Sequence, residues 1–344
     1  MTARKGLLAR VAIDHEALLD FKDVSRTSIN THRTVTRLLA EFAVIELRGP
    51  NDQRAVYGAV DQLSTDMKTL WSKLFGGLDT FNRLRLGERE EAIHNILEQG
   101  DLPTDIRAHL NLLIVGEQVA QQRKVPLSGY AEKPGEPELS VADSVDNCAT
   151  IERVRALRAL GNYPEGTFRR KIWSEVFAVL AELSIDVTLL DGFFLMHALE
   201  KKPAHRDHAE WLIRNLDNTL MPGSSLRVLC YLPKGVGQAE AEKTLREMIS
   251  PIIGGGNLLQ VTVVLAPQDA IQHPHNRHVR FSCGLAISTE EGFDRFDKET
   301  ITGIDGFTWK VWRPEMLRQL TKRENVYLTR PDRMEFKIHP VLAS

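Results

Sequence analysis

The stretch LRVLCYLPKGVGQAEAEKTLREMISPIIGGGNLLQVTVVLAP, residues 226–267, decides the fold class of the protein. Residues 226–231 and 260–265 are rich in Val and Leu and predict two strands. The segment between them carries apolar residues at helical spacing, namely Leu245, Met248, Ile249 and Ile252. A strand, a helix and a second strand in this order predict a crossover connection, and therefore parallel strands with a helix packed on them.

The same pattern begins further upstream. IDVTLLDG, residues 185–192, alternates as a half-buried strand does, and DHAEWLIRNLDNTLM, residues 207–221, has Leu at every fourth position of one helical stripe. We predict that residues 185–190, 226–231 and 260–265 form neighbouring, mainly parallel strands. The C-terminal half is then an α/β domain with a mostly parallel sheet.

The N-terminal half also alternates strands with helices. RVAIDHEALLD, residues 10–20, contains a short apolar strand that runs into Asp14, and AVIEL at 43–47 predicts a second strand. Helical spacing is clearest in STDMKTLWSKLF, EREEAIHNILEQ and PTDIRAHLNLLIVGEQVAQQRK, at residues 64–75, 88–99 and 103–124. VPLSG, residues 125–129, predicts a short closing strand. The pattern indicates a Rossmann-like α/β domain.

Composition favours two globular domains. The 344 residues are 42% hydrophobic, and 44 basic against 46 acidic residues leave a net charge of -2, which excludes a global electrostatic attraction to nucleic acid or membrane. Three cysteines without CxxC spacing and no apolar run of about 18 residues favour a cytoplasmic protein. Pro, Gly and Ser breaks in residues 127–147 predict a linker. The expected domains are 1–135 and 165–344, with a linker and connecting helix over 136–164.

QHPHNRHVRFSCG, residues 272–284, concentrates histidine and arginine in a run that alternates like a strand. Three interpretations stay open: a solvated polar edge, a metal site, or a phosphate site. A metal site needs convergent ligands, yet His275 and His278 point to opposite faces of a strand. His275 and Arg277 share a face, and an imidazole beside a guanidinium suits a phosphate oxygen.

HNRHVRFS followed by CGLAISTEEGFDRF, residues 275–296, resembles a segment of the phospholipase-D-like C-terminal domain of MIT-domain proteins of cytokinesis and their bacterial relatives. The resemblance covers about residues 165–320 and implies that His275 matches the phospholipase D histidine. Arg277 stands where that motif has lysine, and Ser282 replaces its aspartate. No second copy of the motif occurs in the sequence, so the resemblance implies a degenerate site that binds without turnover.

This resemblance implies a phosphate-bearing ligand, either nucleic acid or a lipid headgroup. The residues expected to bind it are His275, Arg277, Arg280, Asp191 and Asp294.

VAIDHEALLD and LPTDIRAHLNLLIVGEQVAQQRKVPLSG, residues 11–20 and 102–129, are similar to the opening strand and a later helix and strand of PIN-like domains. The resemblance implies Mg²⁺ or Mn²⁺ ligated by Asp14, Asp105 and Glu41, with Glu132 as a substitute for a missing last acid. An alternative from the residues alone is that Asp14 and Asp105 only cap helices.

Two functions follow as expectations. The first is a binding or sensing protein of a bacterial conflict or antiviral defence system, by analogy with such domain pairings. The alternative is a metal-dependent PIN-like nuclease acting on RNA or DNA. Protein partners in a multi-component system and self-association into a homo-oligomer are expected with either function.

Overall fold

The computed structural model describes residues 6–126, 130–131, 133, 135–200, 207–267 and 277–341. The chain divides into two compact units, residues 1–157 and 158–344. Among the residues in these ranges, no helix is long and apolar enough to span a lipid bilayer.

The described residues of the first unit form six strands and most of eight α-helices. The strands are β1 (Ala9–Ile13), β2 (Ala43–Leu47), β3 (Leu84–Leu86), β4 (Leu112–Val115), β5 (Tyr130–Ala131) and β6 (Glu138–Val141). The helices are α1 (Glu16–Leu19), α2 (Arg26–Phe42), α3 (Pro50–Asp61), α4 (Thr65–Thr80), α5 (Ile93–Gln99), α6 (Thr104–His109), α7 (Glu117–Gln122) and α8 (Ala149–Leu160).

The strands of this unit form one sheet in the order β3-β2-β1-β4-β6-β5. The first five strands run parallel, and β5 adds an antiparallel strand at one edge. Because β2 and β3 lie on one side of β1 while β4 and β6 lie on the other, the strand order reverses between β1 and β4. In doubly wound α/β sheets, the crevice beyond the carboxyl ends of the strands at such a reversal is where ligands bind.

Apolar stripes on the helices cover both faces of this sheet. The amphipathic α2 buries Val35, Leu38 and Leu39 against one face, and α5 and α6 bury residues such as Ile93 and Ile106 against the other. The helix predicted over 103–124 is wrong in its middle, where β4 replaces it. All four residues of β4 are buried between β1 and β6, and a continuous apolar run of this kind is typical of a central parallel strand.

The predicted linker is also corrected. Within residues 136–164, β6 pairs with β4, and the following 3₁₀ helix and α8 contribute Val145, Cys148 and Ile151 to the core of the first unit. Glu138 is buried and accepts hydrogen bonds from the backbone N–H groups of Ala149 and Thr150, at 2.7 and 2.6 Å. A carboxylate at these N–H groups stabilises the start of α8. The first unit extends into this helix and ends at residue 157.

The second unit is built on one larger sheet. Its strands are β7 (Asn162–Tyr163), β8 (Asp186–Leu190), β9 (Ser224–Leu232), β10 (Leu258–Pro267), β11 (Arg277–Phe281), β12 (Ala286–Thr289), β13 (Phe307–Trp312) and β14 (Met334–Ile338). Its helices are α9 (Arg169–Ile172), α10 (Ala178–Glu182), α11 (Met196–Leu199), α12 (Asp207–Thr219), α13 (Gln238–Ile249) and α14 (Leu317–Leu328).

The strand order in this sheet is β14-β10-β9-β8-β11-β12-β13-β7. The predicted neighbours β8, β9 and β10 are confirmed as parallel strands, with α12 and α13 in their connections. The expectation of a mostly parallel sheet is wrong, because β11, β12, β13, β7 and β14 all pair antiparallel. The loop between β11 and β12 is too short for a helical crossover, so these two strands form a hairpin. The longer connection over residues 290–306 also returns the chain antiparallel, since β12 and β13 pair in that direction.

All three cysteines, Cys148, Cys230 and Cys283, are buried within the cores of the units. Burial raises the pKa of Cys148 to about 12 and also raises that of Cys230. Neither thiol is therefore ionised near neutral pH.

Candidate metal centre in the first unit

Asp14 lies at the point where the strand order of the first sheet reverses. It follows β1 directly, and its backbone N–H donates to the carbonyl oxygen of Ile114 in β4 at 2.8 Å. Its carboxylate is completely buried. The residue directly after β1 therefore places its carboxylate in the crevice between β1 and β4, at the carboxyl ends of both strands.

Two histidines face this carboxylate. His94, from the first turn of α5, brings its Nδ1 within 3.0 Å of Asp14 Oδ1, and His15 brings its Nδ1 within 3.4 Å of the same oxygen. The two rings meet edge to face with centroids 4.8 Å apart. Their side chains retain 24% and 19% exposure for His15 and His94, so the cluster is accessible from solvent.

A glutamate lies close to Nε2 of each imidazole. Nε2 of His94 lies 3.5 Å from Glu98 Oε1, and Nε2 of His15 lies 3.3 Å from Glu16 Oε1. Each ring therefore directs one nitrogen toward Asp14 and the other toward a carboxylate. Histidines that bind metals through one nitrogen are commonly oriented by a carboxylate at the other nitrogen.

Charge couples the three groups. Burial alone would raise the pKa of Asp14, but the hydrogen bond with His15 and the nearby His94 outweigh it and hold this pKa below its ordinary value. The hydrogen bond and charge of Asp14 raise the pKa of His15, although partial burial opposes this. Asp14 is thus ionised, and His15 readily takes a proton. A bound cation would replace the positive charge of that proton.

The donor set fits a transition metal ion. One ligand atom from each of Asp14, His15 and His94 lies within 4.8 Å of the other two. In a tetrahedral site with metal–nitrogen bonds of about 2.0–2.1 Å, neighbouring donors are roughly 3.3 Å apart, close to the separations of both imidazoles from Asp14. Two imidazoles and one carboxylate suit Zn²⁺, Mn²⁺ or Fe²⁺, whereas Mg²⁺ prefers oxygen ligands alone.

More acidic side chains surround the cluster. Burial raises the pKa of Asp52, whose carboxylate accepts hydrogen bonds from the N–H groups of Arg48 and Ile93, and the charge of Asp14 raises it further. Burial also raises the pKa of Asp20, and Glu117, Glu16 and Asp14 add to the shift. The negative potential at this edge favours binding of a cation.

The structure does not bring the other two predicted metal ligands to Asp14. Glu41 lies near the C-terminal end of α2, next to the start of β2, and Ala43 is paired with Ala9 at the start of β1. Glu41 is therefore near the amino ends of the parallel strands, whereas Asp14 lies at their carboxyl ends. Asp105 contacts arginines instead, with its Oδ2 at 3.4 Å from Arg48 Nη1 and 3.9 Å from Arg89 Nε.

The residues predicted to bind phosphate in the second unit separate onto two faces of β11. Arg280 donates to Glu324 through Nε and Nη2, at 2.8 and 2.7 Å, and the Nε2 of the buried His278 lies 3.0 Å from Glu324 Oε1. Burial lowers the pKa of His278. Burial alone would raise the pKa of Glu324, but its bonds to His278 and Arg280 hold that pKa at about 2. Arg280 is thus engaged by a carboxylate from α14.

Arg277 occupies the other face of β11, beside Asp191. Its Nε lies 3.4 Å from Asp191 Oδ1, and its Nη1 donates to the carbonyl oxygen of Glu290 at 2.7 Å. Asp191 is buried and accepts from the N–H groups of Phe193 and Phe293, at 2.9 and 3.1 Å. Burial raises the pKa of Asp191, and Asp294 adds to this shift while Arg277 opposes it.

These contacts place Asp191, Arg277 and Asp294 in one neighbourhood, with Asp294 exposed at its rim. Arg277 itself keeps only 12% exposure. His275, His273 and Glu132 lie outside the described residues.

The sequence pattern singled out Asp14 but neither of the two histidines beside it. His15 is adjacent to Asp14, which is a usable signal, whereas His94 lies 80 positions away within an amphipathic helix. Glu324 was missed for the same reason, since its partner His278 is 46 positions earlier.

No protein-family model matches the chain, and no curated protein matches it.

Proposed function

We propose that the first unit is a metal-dependent nuclease that acts on single-stranded RNA or DNA, as the PIN-like resemblance implies. The observation that carries the proposal is the Asp14, His15 and His94 cluster at the order reversal of a parallel sheet. The strand order β3-β2-β1-β4 supports the Rossmann-like assignment on which the PIN-like proposal rests.

In this proposal Asp14, His15 and His94 hold one cation, with Mn²⁺ or Zn²⁺ better suited than Mg²⁺. Such a cation supplies polarisation of a phosphate oxygen and a lowered pKa for a bound water. Glu98 and Glu16 orient the two imidazoles so that each presents Nδ1 to the ion. Asp14 stays ionised throughout because both imidazoles favour its charged form.

The phospholipase-D-like assignment of the second unit is part of the proposal. It is supported by parallel β8, β9 and β10 and by the proximity of Asp191, Arg277 and Asp294. Phosphate binding there has less support, because Arg280 already pairs with Glu324 and Arg277 already neutralises Asp191. We therefore assign catalysis to the first unit and none to the second.

The test uses the full chain freed of metal with EDTA. Mn²⁺ or Zn²⁺ should restore cleavage of an end-labelled single-stranded RNA, and Asp14→Asn should abolish both cleavage and metal binding by calorimetry. His339→Ala, an exposed histidine of the second unit, is the matched control and should retain both. Cleavage that persists in Asp14→Asn, or that needs no metal, would rule the proposal out.

A further inference from the structure

Backbone hydrogen bonds join the loops that follow β2 and β3. Gly87 N–H donates to the carbonyl oxygen of Leu47 at 2.7 Å, and Arg89 N–H donates to that of Arg48 at 2.8 Å. A Cβ at Gly49 would lie 1.9 Å from the Arg89 oxygen, and one at Gly87 would lie 2.5 Å from the Arg48 oxygen. Glycine is required at both places for space, and the close approach sets Arg48 and Arg89 side by side.

The carboxylate of Asp105 lies between the guanidinium groups of Arg48 and Arg89. Asp105 Oδ2 is 3.4 Å from Arg48 Nη1 and 3.9 Å from Arg89 Nε, although tight charged hydrogen bonds of this type measure about 2.7–2.9 Å. Asp105 keeps 44% exposure and Arg89 keeps 70%, whereas Arg48 keeps 12%. The Asp105 carboxylate is therefore held loosely, at a position where two guanidinium groups can neutralise one anion.

These residues open onto a cavity of about 200 Å³. Leu47, Ile106 and Leu110 supply apolar lining, while Glu46 and His109 add polar groups. A cavity with apolar walls and arginines at its mouth is suited to part of a nucleotide, with its phosphate at the guanidinium groups.

The arginine pair is connected to the metal cluster through Asp52. One oxygen of Asp52 accepts from Arg48 N–H at 3.0 Å, and the other accepts from Ile93 N–H at 3.1 Å. Ile93 directly precedes His94, which contacts Asp14. Both groups thus belong to the same edge of the sheet and are held by one buried carboxylate.

We propose that Arg48 and Arg89 form a phosphate clamp for the polynucleotide and that Asp105 occupies this clamp until a substrate phosphate displaces it. This proposal rests on the proposed nuclease function, since it names how the substrate is held. Asp105, predicted from the sequence as a metal ligand, is assigned the role of an internal competitor for phosphate.

The clamp is tested without metal, so that binding is separated from cleavage. A fluorescein-labelled ten-nucleotide single-stranded RNA is titrated in EDTA and followed by fluorescence anisotropy. Arg89→Ala should weaken binding about tenfold, the effect of one charge-assisted hydrogen bond, while Asp105→Asn should tighten it several-fold. Unlabelled pyrophosphate should compete with the RNA for the wild-type protein.

Matched controls remove the same charges elsewhere. Arg37→Ala lies on α2, which packs on the opposite face of the sheet, and Asp101→Asn lies on the exposed segment before α6. Both should bind RNA like the wild type. Equal effects of Arg89→Ala and Arg37→Ala, no tightening by Asp105→Asn beyond Asp101→Asn, or no competition by pyrophosphate would each overturn the clamp. If the wild-type protein binds the RNA in EDTA but shows no Mn²⁺-dependent cleavage, the nuclease proposal is refuted and the clamp proposal is not.

Discussion

Each unit contains a cluster in which histidine meets a carboxylate, and the two clusters differ in what else surrounds them. His278 is completely buried, and Glu324 is matched by both His278 and the charged Arg280. His15 and His94 are partly exposed, and the cluster around Asp14 gains further acids instead of an arginine. The same residue types form a structural contact where a permanent cation completes them, as Arg280 does beside His278 and Glu324, and these three residues are called the brace. Within the described residues, the Asp14 cluster has no such cation and is left as a candidate cation site.

The largest expected effect tests the brace. Glu324→Gln removes the charge that pairs with Arg280 and His278, and breaking such a buried ion pair costs about 3 kcal/mol of unfolding free energy. Urea denaturation measures this value. Glu335→Gln, which breaks the exposed contact with Arg333, is the control and should change stability by less than about 0.5 kcal/mol. Equal effects of the two substitutions would mean that the brace contributes nothing.

The next effect tests the opposite cluster. His94→Ala should weaken binding of Mn²⁺ or Zn²⁺ about 100-fold by calorimetry, because it removes one of three ligands. Its urea midpoint should stay near that of the wild type, since His94 is partly exposed. Unchanged metal affinity would show that the two histidines serve only to satisfy Asp14.

A smaller effect concerns the ion pair on the other face of β11. Arg277→Ala leaves the buried Asp191 without its guanidinium partner, so we expect a loss of about 2 kcal/mol in unfolding free energy. Asp191→Asn together with Arg277→Ala should recover part of that loss, which a double-mutant cycle in urea measures. Unchanged stability in Arg277→Ala, accompanied by weaker binding of a phosphate ligand, would restore the phosphate-site interpretation.

The smallest effect is a pH dependence whose sign separates the clusters. The pKa of His15 is raised, so its contribution to stability is complete below the ordinary histidine value of about 6.5 and is lost as pH rises through the folded pKa. A metal must displace that proton, so Mn²⁺ affinity should increase up to about tenfold per pH unit across this window. Calorimetry at several pH values measures it, and an affinity independent of pH would exclude His15 as a ligand.

The brace should respond in the reverse direction. The pKa values of His278 and Glu324 are both lowered, so their contributions are present above the ordinary values and are lost as pH falls. For Glu324 this loss should extend from about pH 4.5 down to about pH 2. In Glu324→Gln, this part of the acid dependence should disappear from urea midpoints measured across the same range.

The sequence predicted the parallel part of the fold well, because β8, β9 and β10 are apolar runs separated by helices with clear stripes. It could not predict β4 as a strand, since a four-residue apolar run inside a helical period fits either structure. It also missed β6, where Pro and Gly precede a short strand that only its pairing with β4 defines. Tertiary pairing, which no local pattern encodes, decided both segments.

The site was predictable only where a single element determines it. Asp14 directly follows an apolar strand, and the carboxyl ends of parallel strands are where ligands bind in such sheets. Glu41 is distant from Asp14, because it lies near the end of a 17-residue helix that spans about 25 Å. This helix ends near the amino ends of the strands, and Asp14 is at the carboxyl ends. His94 and Glu324 are brought to their partners by the packing of helices on sheets, which the spacing of residues in one sequence does not reveal.

The buried thiols have a practical consequence for spectroscopy. Cysteine reagents attack the thiolate at accessible positions, and Cys148, Cys230 and Cys283 offer neither accessibility nor, for the first two, an ionised sulfur at neutral pH. A cysteine introduced at Val24 in the first unit and another at Ile304 in the second, which are 75% and 95% exposed, would therefore be modified selectively. The natural protein thus accepts a pair of fluorophores or spin labels, one on each unit, with all of its own cysteines left in place.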